Sequence, residues 1–277
     1  MRHILPTRRL ALRPVAVILS FIVLAGVAVL ALIPALSTAG LNQNLLLSSV
    51  APGTQGHVWG TDALGRDVLL LTLAGSRTAL AGPVMISCGA MAVGLVLGTA
   101  AAWLGGWVDW LVSRVVEVML SLPTLLIAIV VAGVIGGGYW TNVLVFVILY
   151  APYEIRLVRS GVLAHLHDSY LDAARLLELG PVRIAGRHLL PVIRPLIGAE
   201  VFLEMANALI SLSSLSFLGL GVSPQDADWG RQLSDARELL FSNPMAAVAP
   251  GVAIILTSVA FNVVGDWITE RGMKGEI

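Results

Sequence analysis

The chain has 277 residues, of which 57% are hydrophobic and 12% charged, and its mean hydropathy is +0.88. Soluble domains carry about 45–50% apolar and about 25% charged residues, so this composition excludes a disordered protein and an ordinary soluble enzyme. Seventeen Lys+Arg balance seventeen Asp+Glu, which leaves no net field to gather nucleic acid.

Lipid must cover so much apolar side chain. The expected class is an all-α polytopic membrane protein with six transmembrane helices. Residues 1–14 form a tail carrying Arg2, Arg8, Arg9 and Arg13. Residues 15–36 are 22 positions without a charge, about 33 Å of helix and enough to cross roughly 30 Å of hydrocarbon. A signal peptide's apolar core is only about 7–15 residues, so this run reads as the first span. Residues 37–77 are more polar and end in a short predicted helix. Asp62, Arg66 and Asp67 cluster there, with Asp62 and Arg66 at i, i+4 spacing. They read either as a local ion pair that sets a loop or as contacts for a substrate-delivering protein.

Residues 78–270 read as the membrane core. The second span covers 78–108, with Trp103, Trp107 and Trp110 as interfacial aromatics near its end. The uncharged stretch after Glu117 runs to Tyr153, too long for one span. Gly136, Gly137 and Gly138 divide it into helices near 115–135 and 139–158. A fifth span runs near 191–218 and a sixth near 245–267, leaving a tail at 271–277. Between these two spans, residues 222–244 carry Asp226, Asp228, Trp229 and two arginines.

Six spans put both termini on one side. Thirteen basic residues fall on that side, together with segment 154–194, and four (Arg66, Arg77, Arg231, Arg237) fall opposite. By the positive-inside rule the termini and segment 154–194 are cytoplasmic.

Chemistry on the chain itself is sparse. The only lysine, Lys274, lies between Met273 and Gly275, so there is no P-loop. Any ATP and magnesium belong to partner subunits, and no cofactor is expected on this chain. Cys88 is the sole cysteine, too little for a disulfide or a thiolate metal site. His165 and His167 point to different faces of a helix, so no metal site is expected there either. Ser211, Ser213, Ser214 and Ser216 suit close helix packing better than nucleophilic chemistry. Glu200 and Glu204 lie one turn apart in the fifth span, with Asn207 on the next turn. Intramembrane acids face a cavity or a partner. They read as pathway lining or a cation site, or as a pair hydrated at the cytoplasmic end or held by Arg194.

Segment 154–194 holds most of the functional signal. Leu163, Leu166, Tyr170, Ala174 and Leu177 repeat on one helical face from Leu163 to Leu179. Gly180 and Pro181 end that helix, with Gly180 suited to a left-handed cap. A second short helix, Val182 to Leu189, stops at Pro191. The pattern fits a helix resting on the membrane surface and equally a docking element seated in a partner's groove.

The run Asp172-Ala173-Ala174-Arg175, then Arg183-Ile184 and Arg187-His188-Leu189-Leu190-Pro191, resembles the EAA loop of ABC-importer permeases. Gly60-Thr61-Asp62-Ala63-Leu64-Gly65-Arg66-Asp67-Val68 is similar to the segment before span two in the C-type permeases of dipeptide, oligopeptide and nickel importers. Leu215-Ser216-Phe217-Leu218-Gly219-Leu220-Gly221-Val222, with Pro224 and Trp229-Gly230, looks like the outer end of span five in the same subfamily. The resemblance covers about residues 57–270. Asp172 stands where the family usually has Glu. Glu178 stands at the usual glycine position, which predicts a helix break displaced by about half a turn. An acid often found near Leu212 is absent.

The resemblance implies the type I ABC-importer permease fold in a bacterial inner membrane, and a binding-protein-dependent importer of dipeptides or oligopeptides. The implied partners are a homologous second permease, two P-loop ATPases and an extracytoplasmic binding protein. Tyr170, Asp172, Ala173, Ala174, Arg175, Glu178, Gly180, Arg183 and Arg187 would couple to the ATPases, and Asp62, Arg66, Asp67 and Trp229 would make outer contacts. The chain itself would not be an enzyme. Nickel chelates, haem or another solute are alternative cargoes. An ion-coupled secondary transporter using Glu200 and Glu204 is a different class, although its usual inverted repeats are not apparent. An intramembrane hydrolase would need a nucleophile–base pair that the sequence does not display.

Overall fold

The computed structural model describes residues 8–273 apart from 55, 167 and 224, and its regular elements are all helical. The rest of the two tails, Arg2 and Lys274 included, lies outside the described residues. In chain order the α-helices are α1 (Arg8–Ala31), α2 (Pro34–Gly40), α3 (Val68–Ala74), α4 (Ser76–Leu104), α5 (Gly106–Leu120), α6 (Thr124–Ile135), α7 (Tyr139–His165), α8 (Ser169–Leu176), α9 (Pro181–Ile184), α10 (Leu190–Phe217), α11 (Trp229–Asp235) and α12 (Met245–Met273). Five stretches are long and apolar enough to cross a membrane: Pro14–Ala31, Val68–Leu104, Tyr139–His165, Ala185–Phe217 and Met245–Gly272. The pair α5 and α6 completes a sixth crossing if counted as one.

Four expectations are corrected, each for a local reason. The first span ends at Ala31, short of residue 36, because Pro34 opens α2. The second ends at Leu104, short of 108, where Gly105 and Gly106 take φ of 60° and 54°, a region open to glycine. The third span is not a straight helix over 115–135. It starts at Gly106 and bends by 81° between α5 and α6, where Pro123 lacks an N–H and disfavours helical backbone at Leu122. The fourth runs on to His165, seven residues past 158.

α4 and α7 form the tightest crossing. Gly94 and Gly98 make a small-xxx-small face, which lets two backbones approach. A Cβ on Gly94 would meet the Glu154 Cβ at 2.6 Å, and one on Gly98 would meet the Ile155 carbonyl oxygen at 2.7 Å. Around this crossing Ile86, Phe146, Leu212 and Leu215 form a buried cluster that joins α4, α7 and α10. A second cluster brings Leu209 of α10 against Phe261 of α12. A third, with Val158, Val162, Leu171, Ile184 and Leu189, locks the α8–α9 segment to the long helices.

At the opposite end, residues 37–77 and 222–244 fold together as one cap. The Trp229 indole donates to the Thr72 carbonyl (2.7 Å), Gln232 donates to the Leu71 carbonyl (3.0 Å), and Asn243 donates to the carbonyls of Trp59 (3.0 Å) and Thr61 (3.1 Å). These bonds satisfy buried backbone groups that would otherwise be costly.

Candidate functional site

The α8–α9 segment is an outward-facing hook. α7 ends at His165, and α8 begins only at Ser169. The expected continuous helix from Leu163 to Leu179 is therefore interrupted, and its apolar stripe is redistributed. Leu171 and Ala174 are buried, while Leu176, Leu177 and Tyr170 are exposed. Partial desolvation, with the nearby Asp168 charge, raises the pKa of the Tyr170 phenol from its ordinary value. His165 donates from Nδ1 to the Asp168 carboxylate (2.8 Å), and His167 lies outside the described residues.

Glu178 corrects the expected displaced break. It takes φ of 54°, and the Leu179 N–H returns to the Ala174 carbonyl (3.3 Å). That is the six-to-one bond of a Schellman end, with Glu178 at the left-handed position glycine usually fills. The break therefore sits at Glu178 itself, not half a turn beyond it. Gly180 instead opens α9, where its carbonyl accepts from Arg183 and Ile184 (3.0 Å each). The expected stop at Pro191 is also corrected. A π turn, Ala185–Leu189, carries the helix into α10, with Pro191 in its first turn, where no N–H is needed.

Of the residues expected to couple to a partner, Tyr170, Glu178, Gly180, Arg183 and Arg187 are exposed. Ala174 is not, since it packs inward. The side chains of Asp172, Ala173 and Arg175 lie outside the described residues. Leu176 and Leu177 join the exposed set. Their signal was present in the sequence as adjacent leucines on a helix too short to bury both.

A second constellation lies inside the bundle. Glu154 of α7 and Glu200 and Glu204 of α10 bring one carboxylate oxygen each to within 4.8 Å of one another. Glu154 is 0% exposed and Glu204 3%. Neither acid of α10 forms an ion pair among the described residues, so the pairing with Arg194 is not made, and Glu204 is too buried to be a hydrated end pair. Asn207 faces outward and is not part of this buried pair. Glu154 was overlooked because span four was expected to stop at 158. With α7 continuing to His165, Glu154 falls mid-helix.

Within the cap, the Asp62 carboxylate accepts from the backbone N–H of Leu64 (2.9 Å) and Arg66 (2.8 Å) and from Arg66 Nε (2.6 Å). Arg66 also reaches Asp235 (3.5 Å). Asp67 caps α3 through Leu70 N (3.0 Å) and meets His57 Nδ1 (2.6 Å). The i, i+4 pair is thus in a turn, not a helix. Asp62, Arg66 and Trp229 are buried; of the two sequence readings, Asp62 and Arg66 form the local ion pair that sets a loop, and with Trp229 they hold the cap together. Above Asp62 and Arg66 lies a polar groove of about 520 Å³ rimmed by Arg231, Ser234, Arg237 and Glu238.

Long apolar helices, a folded cap at one end and a protruding helical hook at the other define an integral membrane protein of the transport type. Residues 94–271 match the family described as binding-protein-dependent transport system inner membrane component. The chain is 32% identical over 266 residues to the dipeptide transport system permease protein DppC of Alkalihalophilus pseudofirmus, covering 96% of this chain and 86% of that protein. It is 34% identical to the glutathione transport system permease protein GsiD of Pectobacterium atrosepticum (77% and 71% covered). It is 32% identical to the nickel transport system permease protein NikC of Escherichia coli (80% and 80%). The chain belongs to the binding-protein-dependent inner-membrane permease family and is a permease subunit of an ABC importer. Membership in this family implies ATPase and substrate-binding partners.

Proposed function

We propose that this permease forms half of the pathway of an importer for dipeptides or short oligopeptides, beside a homologous but non-identical second permease. Both termini and the α8–α9 hook face the cytoplasm, where two P-loop ATPases seat the hook. ATP and magnesium bind those subunits, and this chain makes and breaks no covalent bond. The binding protein docks on the cap, with the rim of the Arg231–Glu238 groove as its polar contact.

One observation carries the coupling role. The hook buries Leu171, Ala174, Ile184 and Leu189 against the long helices while presenting Tyr170, Leu176, Leu177, Arg183 and Arg187 outward. A push on the exposed tip is therefore transmitted to α7 and α10, which is what an ATP-biased two-state transporter needs. Peptide cargo is favoured by the match to a dipeptide permease over nearly the whole chain. Glutathione is itself a short peptide, whereas a nickel chelate is the competing cargo. A binding-protein-dependent family favours ATP-driven over ion-driven transport.

The test is affinity purification of the tagged chain from mild detergent. Recovery of a second permease and P-loop ATPases is expected, with peptide uptake lost on deletion of the gene. A chain recovered alone or as a homodimer, even after crosslinking, would overturn the coupling role. Nickel uptake lost in place of peptide uptake would overturn the cargo.

A further inference from the structure

The three buried carboxylates have no use in the coupling role, and nothing among the described residues neutralises them. Both oxygens of Glu154 and Oε1 of Glu204 are buried without a hydrogen-bond partner. Uncompensated acids at this depth are costly. They are also held in place. Gly94 of α4 backs directly onto Glu154, and one turn away Tyr150 of α7 hydrogen-bonds Ser211 of α10 (2.7 Å). The helices cannot part to relieve the charge without breaking that packing.

The spacing discriminates between two ways of neutralising them. A shared proton draws two oxygens to about 2.5–2.7 Å, and no hydrogen bond joins these three residues; a separate proton on each acid removes the charge but leaves the Glu154 O–H buried without an acceptor. Oxygens within 4.8 Å of one another are separated by up to twice the roughly 2.3–2.6 Å bond of a calcium-sized ion. An all-carboxylate donor set selects hard cations. Three carboxylates around one ion suit a divalent cation better than a monovalent one. Glu154 and Glu204 are enclosed and Glu200 is partly buried, so the open side of the cluster is at Glu200.

We infer that Glu154, Glu200 and Glu204 form an intramembrane site for a hard divalent cation such as Ca²⁺ or Mn²⁺, bridging α7 to α10. The bound ion ties the helix that carries the hook's first strand of chain to the helix that receives its last. The site does not depend on which solute is transported.

The purified chain, with whatever subunits accompany it, is stripped with EDTA and dialysed against Ca²⁺ or Mn²⁺ without ATP or substrate. One ion per chain is expected, together with a metal-dependent rise in unfolding temperature. Glu154→Gln and Glu204→Gln, which remove unpaired charge and keep the side-chain shape, should fold in EDTA and bind the ion at least about tenfold more weakly. No stoichiometric ion in the wild-type chain would overturn the site even if neither variant folds. Equal binding by wild type and the E154Q/E204Q double variant would overturn it as well.

Discussion

Arg159 of α7 grips Asp109 of α5 with both prongs of its guanidinium, Nη2 donating to Oδ2 at 2.7 Å and Nε to Oδ1, across 50 residues of chain. The pair stands at the edge of a groove of about 490 Å³ between α5 and α7, lined by Val112, Val116, Ile155 and Arg156 among others. It fixes the first half of the bent span against its neighbour, just after the Gly105–Gly106 corner.

Bidentate geometry is where a part-exposed ion pair becomes measurable. Arg159→Lys keeps the charge and loses the fork. It should destabilise the detergent-purified protein by about 1 kcal/mol, and Asp109→Asn should cost a similar amount. A double-mutant cycle on thermal unfolding reads the coupling directly, and the coupling should shrink with added salt. Additive effects would mean the pair contributes nothing.

Glu178 occupies a left-handed position that costs a non-glycine residue about 1 kcal/mol or more. Glu178→Gly should therefore raise stability by about 1 kcal/mol, with no loss of partner binding unless the carboxylate itself touches the ATPase. Melting temperature and ATPase co-purification, measured on the same preparation, separate the two effects.

The hook has a buried and an exposed face, and substitutions should divide accordingly. Leu177→Asp, at an exposed tip, should leave the amount of folded chain unchanged while ATPase recovery falls. Leu171→Ala, at a fully buried position, should cost about 2–5 kcal/mol and lower the yield of folded protein. Loss of folded protein in Leu177→Asp would mean that the tip packs internally.

Gly94→Ala places a methyl where the Glu154 side chain and backbone already stand. Overpacking of this kind costs about 1–3 kcal/mol. The same change at Gly133, which has open space around its Cβ position, serves as the control. Equal stability of the two variants would show that α4 and α7 yield at their crossing.

Asp228 caps α11 through Arg231 N (3.0 Å) inside the cap. Burial raises its pKa, against lowering by hydrogen bonds from Arg231, Ser216, Thr78 and Gly230. A carboxyl with a raised folded pKa holds its proton more tightly when folded. Its contribution is fully present below the ordinary aspartate pKa and is lost as pH rises through the folded value. Asp228→Asn keeps the cap acceptor and removes the charge. It should flatten that fall and leave stability at neutral pH equal or higher, whereas Asp228→Ala should lose about 1 kcal/mol of capping. Unfolding midpoints across the mildly acidic range would show whether the slope changes.

The spans were legible because crossing a bilayer is a property of a local run. About twenty apolar residues suffice wherever they pack, so the five straight crossings were found with ends displaced by up to about ten residues, while the bend between α5 and α6 was not. The hook was legible through the spacing of its motif, which names positions without saying which way they face. Glycine and proline positions decided the ends, and two of them misled. The Gly180 cap and the Pro191 stop were read from residue preference, but Glu178 took the left-handed turn and Pro191 sat harmlessly in a first turn.

What the sequence by itself determined is the class of protein: composition demanded lipid, and ordered motifs carried the family. Only the tertiary structure decided which charges are buried and which face a partner. The Asp62–Arg66 pair was readable from its spacing, but the further reach of Arg66 to Asp235 and of Trp229 to Thr72, far along the chain, was not. Glu154 meets Glu200 and Glu204 only because α7 and α10 pack together. Hydropathy is summed along a segment, whereas the partner of a buried side chain is set by which helix lies opposite, and that depends on packing across the whole bundle.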